Sequence, residues 1–299
     1  YDGAGHDVYE GSRFTQGAAF GGLGLLVDVS GDDRYSSFGY AIGFGAPLGV
    51  GAVIDLTGDD RYSCGGKYPS AYNASEAATA KPADPEYQYD CFGMGTGSGL
   101  RVVGKAAAAS SHNLAGGLGL LLDVNGDDRY QSANFSQGHG YFFGIGLALD
   151  LKGNDDHQAA RYGHGSSAHS GIGLTIDYQG KDRYGSKGPF YNGGTAWDGS
   201  VALAVDGGSN SDLYDLPAST GLGMADHGGW GLFVEEGGAD QYVVKRGLGV
   251  GSDSSVGAFF DLEGRDDYAS VPPASPGAPP ERLNRKTYLE SAGSLFIDR

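Results

Sequence analysis

His169, Asp198, His227 and Asp253 stand at matching places in four consecutive repeats of this 299-residue chain. Stacking the repeats would set imidazole and carboxylate alternately on one line. Such a line suits acid–base chemistry or a divalent metal. With two His and one or two Asp the metal would be Zn²⁺; Ca²⁺ prefers oxygen. His164, Asp226, Tyr191, Trp197 and Trp230 lie nearby in register and extend the line into a candidate ligand surface, with a glycan as the candidate ligand. The plainer alternative is a hydrogen-bonded His–Asp ladder on a solvated face. His6, His112, His139 and His157 replace turn or loop residues and read as structural.

Acidic residues recur more regularly still. One column, the anchor, runs Asp2, Asp28, Asp55, Asp123, Asp150, Asp177, Asp206, Glu235, Asp261 and Asp298. A second runs Asp33, Asp60, Asp128, Asp155, Asp182, Asp240 and Asp266. Stacked carboxylates repel, so something must compensate them. Calcium takes six to eight oxygens and could sit at Asp28, Asp33, Asp55, Asp60, Asp123 and Asp128. Arg34, Arg61, Arg129 and Arg183 follow the second column directly and offer another compensation, and Asp also caps tight turns without any metal.

The elements that must carry these columns follow from the repeat. Gly-Asp-Asp-Arg-Tyr occurs at 31–35, 58–62 and 126–130, with degenerate copies as far as 264–268. A run such as GLGLLVD or GIGLALD ends at the anchor acid, and most anchors are 26 to 29 residues apart. Numbered from the anchor, positions −5, −3 and −1 are apolar, as in Ile145, Leu147 and Leu149. Period-two alternation predicts strands with that face in a core. Position −4 is glycine in almost every copy. Position −2 is apolar too, and on this reading it faces outward and needs a cover. One unit cannot bury its own face, so the units must stack. The period is too short for propeller blades of about 40–50 residues. The reading is an all-β parallel solenoid of about ten coils, one domain over 1–299. A long insertion at 64–111 and a Pro-rich loop at 269–290 interrupt it. Cys64 and Cys91, the only cysteines, lie in the insertion, and their pairing as a disulfide would imply an oxidising compartment.

The Gly-Asp-Asp-Arg-Tyr turns on glycine-rich strands resemble uncharacterised bacterial secreted repeat proteins. More distantly, Gly237-Gly238-Ala239-Asp240-Gln241-Tyr242 is similar to the calcium-binding RTX β-rolls, although the nine-residue RTX period is absent. The resemblance implies a secreted solenoid and no defined activity.

Thirty-seven acidic against 20 basic residues give a net charge of −17, which argues against a nucleic-acid backbone or an anionic membrane as partner. No apolar run is long enough to span a bilayer. The chain begins at Tyr1 rather than Met, as a processed product or a fragment would. No P-loop, HExxH, CxxC or Gly-x-Ser-x-Gly motif is present, so no enzyme class is assigned. The expectation is a secreted structural or interaction module. Its partner would be protein, either itself or a domain covering the coil ends. A carbohydrate-binding or carbohydrate-active protein using the His/Asp line is the alternative.

Overall fold

The computed structural model describes residues 1–70, 89–101, 113–186, 188, 191–244, 247–268, 287–290 and 293–299. His112, most of the loop 67–89 and most of the segment 269–290 lie outside them. The described residues contain no helix and build a parallel β-solenoid. Each full turn has a six-residue strand such as Ile145–Asp150 and a four-residue strand such as Arg129–Ser132. A short third side includes two-residue strands such as Gly140–Tyr141. The long strands stack into a ten-stranded sheet and the four-residue type into an eight-stranded one. The eight-stranded sheet sets the count at about eight complete turns, fewer than the ten expected, because the end repeats do not supply all three sides. Register is strict: Ile145 pairs with Ile172, Leu147 with Leu174 and Asp150 with Asp177, so each sequence column is a physical ladder.

Two parts of the 64–111 stretch belong to the solenoid wall. Asp90–Gly93 pairs with Asn134–Ser136, and Gly97–Ser98 pairs with Gly140–Tyr141. Cys64 and Cys91 are joined by a disulfide, with Cα atoms 5.4 Å apart. At the far end Thr287–Glu290 turns back antiparallel against Ser294–Asp298 and closes that edge of the large sheet.

The faces of the long strands are the reverse of the expectation. In Ile145–Asp150 the buried residues are Gly146, Ala148 and Asp150, while Ile145, Leu147 and Leu149 face out. Apolar alternation marks two faces without naming the inner one, and here glycine decides it. A Cβ at Gly146 would lie 2.1 Å from the His139 carbonyl oxygen, and one at Gly173 would lie 2.0 Å from that of Ser166. The third side of the coil presses its backbone against this position, and only a residue without a side chain fits. The position −2 side chains therefore fill the interior, with Val53, Leu121, Phe233 and Phe259 all buried.

The rest of the core is aromatic. The tyrosines of the Gly-Asp-Asp-Arg-Tyr motif point inward and stack coil on coil. Tyr35 and Tyr62 are 4.7 Å apart between ring centroids, Tyr62 and Tyr130 4.9 Å. His157 takes the tyrosine position in one coil and stacks between Tyr130 and Tyr184. A second stack, Tyr40, Phe92, Phe135 and Tyr162, follows the third side.

Candidate functional site

Both acidic columns lie inside the solenoid. Asp28, Asp55 and Asp123 are fully buried, and Asp33, Asp60 and Asp128 are nearly so. The anchors end the long strands, so they alternate inward with the glycine and the position −2 side chain. Most are held by the tyrosine of the preceding coil, whereas Asp206 takes Tyr214 of its own coil. Tyr35 donates its hydroxyl hydrogen to Asp55 Oδ2 (2.6 Å), Tyr62 to Asp123 (2.7 Å) and Tyr130 to Asp150 (2.6 Å). His157 makes the equivalent contact with Asp177 (3.1 Å). The motif tyrosine thus has a role that sequence reasoning missed, although its constant spacing from the anchor was a visible signal.

The second column is organised through the backbone. Oδ1 of Asp60 accepts the N–H of Asp33 (2.6 Å), Asp128 that of Asp60 (2.6 Å), and Asp155 that of Asp128 (2.6 Å). The pattern continues through Asp212, which accepts from Asp182 and whose own N–H reaches Asp240. Asp212 escaped the sequence reading because its coil carries one extra residue between anchor and turn. Asp7 also belongs, donating its N–H to Asp33.

The arginines do not neutralise this column. Arg34, Arg61, Arg129 and Arg183 face solvent while the preceding aspartates face in. Strand alternation puts consecutive residues on opposite faces, so a neighbour in sequence could not be the partner. Among the described residues no ion pair joins a Lys or Arg to Asp33, Asp60, Asp128, Asp155, Asp182 or Asp240. The second oxygens of Asp33, Asp60, Asp128, Asp155, Asp182, Asp212 and Asp240 are buried without a hydrogen-bond partner. Ligand atoms of Asp28, Asp33 and Asp55 lie within 4.8 Å of one another, as do those of Asp55, Asp60 and Asp123. Two unit charges at that separation repel by roughly 3 kcal/mol at an effective dielectric constant of about 20. Burial, followed by the charge of Asp55 and Asp123, pushes Asp60 up to about 8. Burial and Asp123 push Asp128 up to about 10, and burial and Asp177 push Asp182 up to about 9.

The His/Asp line lies at the opposite, outer corner of the coil. His169 Nε2 accepts from Arg101 (2.5 Å), so Nδ1 carries the proton and donates to Asp198 (2.6 Å). Burial lowers the His169 pKa, and this neutral tautomer is the result. His227 lies 3.1 Å from Asp226 and 3.7 Å from Asp253. Trp197 donates its indole N–H to His227 Nδ1 (3.1 Å), which occupies one of the two imidazole nitrogens. A backbone reason accounts for the residue types. His169, Asp198, His227 and Asp253 have φ of 55°, 57°, 52° and 49°, a left-handed conformation in which Asp and His are enriched.

Of the other candidate residues, His164, Tyr191 and Trp230 take no part in these contacts. His164 is buried against the edge of Tyr184, and burial lowers its pKa to about 3. Tyr191 stacks on Tyr162 at 5.2 Å, and Trp230 stands exposed on the outer face of the large sheet. Trp197, by contrast, packs between His169 and His227, with ring centroids 4.8 and 5.3 Å away, and belongs to the line.

No protein-family model, curated protein or solved structure matches this chain, so its functional reading rests on the two carboxylate ladders, the His/Asp corner and the apolar outer face.

Proposed function

We propose that this chain is a structural β-solenoid that pairs laterally with a second copy through the outer face of its large sheet. The observation that carries this is the exposed apolar stripe. Along the nine parallel strands of that sheet positions −5, −3 and −1 are mostly Leu, Ile or Val and mostly face outward, Ala52 and Ala258 being buried exceptions. Leu23 is 71% exposed, Ile172 44%, Val201 47% and Trp230 63%. Single exposed apolar residues are ordinary, but a continuous patch marks a contact surface. At about 4.8 Å per strand the stripe is about 40 Å long and about 15 Å wide, roughly 600 Å². Two copies would bury about 1,200 Å², the lower bound of a stable interface. A second copy suits the stripe because identical side chains at a constant spacing interdigitate when sheets pack face to face, about 10 Å apart. The Cys64–Cys91 disulfide supports an oxidising, secreted or cell-surface setting for such a module.

The test is the mass in solution. Light scattering at micromolar concentration should give a dimer for the natural chain and a monomer for Leu147→Lys/Ile172→Lys, with the same circular dichroism. Both residues face out, so the fold should tolerate the changes. A natural chain that is monomeric at that concentration overturns self-pairing.

A further inference from the structure

We infer that the two buried carboxylate columns form a ladder of divalent-cation sites, one between successive coils, and that calcium is the ion they fit. Each site combines the anchor acids of two adjacent coils with the second-column acid between them, as in Asp28, Asp33 and Asp55, then Asp55, Asp60 and Asp123.

Three observations carry this. The first is the unmet oxygen. The described hydrogen bonds to these carboxyls come from donors, backbone N–H groups and tyrosine hydroxyls. Donors of this kind suit ionised carboxylates. They leave a second oxygen of Asp33, Asp60 and Asp128 buried with no N–H, tyrosine or serine donor, and Asp60 abuts Asp55 and Asp128 abuts Asp123 carboxyl to carboxyl inside the three-carboxylate group. A buried acceptor that nothing meets is costly, and a cation meets several at once.

The second observation is the choice of residue. If a proton shared between carboxyls were enough, asparagine would serve at many levels. It would accept the same N–H and supply its own donor. Neither column contains an asparagine at any level. The exposed position directly before the second column contrasts with this: it reads Asp32, Asp59, Asp127, Asn154, Lys181, Ser211, Ala239 and Arg265. The outer position needs only turn chemistry and tolerates every change of charge, whereas the inner one remains an acid.

The third is charge balance. Each coil adds two buried carboxylates to the ladder, and one divalent cation per coil neutralises them. The donor set is oxygen at these levels, which selects a hard ion, and three carboxylates, each able to bind through one or both oxygens, suit the high and flexible coordination of Ca²⁺ better than the strict octahedron of Mg²⁺. The level of Asp150, Asp155 and His157 is the exception, since an imidazole joins its group. The sites are buried, so the ions would be taken up as the coils close, and binding would be part of folding.

The experiment follows from that coupling. The full chain is unfolded in denaturant with chelator, then refolded either in calcium chloride or in chelator, and desalted. The calcium-refolded protein should retain several ions per chain by atomic emission, approaching one per coil. Its thermal midpoint should exceed that of the chelator-refolded protein by roughly 5–10 °C, the scale expected for ligand far above its dissociation constant. Asp60→Asn should lose one or two ions and part of the shift, and the exposed control Asp59→Asn should lose neither. Calcium content near zero with equal midpoints in the two buffers would show that the carboxyls share protons, and would overturn the inference. Retention of one or two ions that Asp60→Asn leaves in place would locate calcium at the surface and overturn it as well. If Asp60→Asn does not fold, the ion count and midpoints of the natural chain decide alone.

Discussion

His139 shows how a single buried side chain sets a pH limit. It is fully buried, with Nδ1 against the Ser166 carbonyl oxygen at 3.0 Å, and burial lowers its pKa to about 3. A histidine whose folded pKa lies below its unfolded one contributes full stability above about 6.5. That stability is lost as pH falls, because only the unfolded chain takes up the proton. By pH 5 the loss is about 2 kcal/mol. His139→Gln keeps a donor for Ser166 and removes the titration. Urea unfolding in calcium buffer at pH 7 and pH 5 should show a smaller drop for the variant than for the natural chain. Equal drops would mean that His139 is protonated in the folded protein. His157 and His164 show that the same residue type can serve packing in this interior, since both lie against the tyrosine stack.

At the scale of the strand, the inverted face is the lesson. Phe259 is fully buried and stacks between Phe233 and Phe296, each 5.3 Å away. Phe259→Ala should cost about 3–5 kcal/mol by emptying that slot. Ile172 is an outward residue of the same sheet, and Ile172→Thr should change monomer stability by less than about 1 kcal/mol. Denaturant unfolding of both variants below the dimerisation concentration checks the assignment. The reverse order of the two effects would put positions −5, −3 and −1 back inside. The glycines at position −4 follow from the same geometry, and Ala202 is the informative departure: it is 1% exposed and packs beside Ala196 and Ala225, so one coil makes room for a methyl group.

For the whole molecule, charge and apolar area act in opposite directions. The chain carries −17, and two copies brought side by side repel over a Debye length of about 10 Å at 0.1 M salt. Pairing through the Leu/Ile/Val stripe gains from burial alone. The dimer should therefore tighten as ionic strength rises, and sulfate should strengthen it further. Sedimentation in low salt, in sodium chloride and in sodium sulfate should give a rising dimer fraction. A fraction that falls with salt would mean that ion pairs, not the apolar face, hold the copies together. Calcium in the interior would act in the same direction, since each bound ion removes two charges from the repulsion.

The sequence by itself determined the repeat, the parallel stacking and the register. A period of about 27 residues with period-two alternation admits few other solutions, and in-register stacking turns every column into a ladder. It also marked both acidic columns and the cysteine pair. Tertiary structure alone decided which face of each strand is inside. Alternation carries no sign of direction, and the sign came from the third side of the coil, which approaches too closely for anything but glycine at position −4. It alone showed that Arg34, Arg61 and Arg129 turn away from the aspartates beside them. It alone assigned the motif tyrosines to the anchor acids, because most of those contacts join adjacent coils. For the His/Asp line, the sequence placed the residues in register, and the backbone supplied the cause, a left-handed turn that the side-chain types reflect but do not spell out.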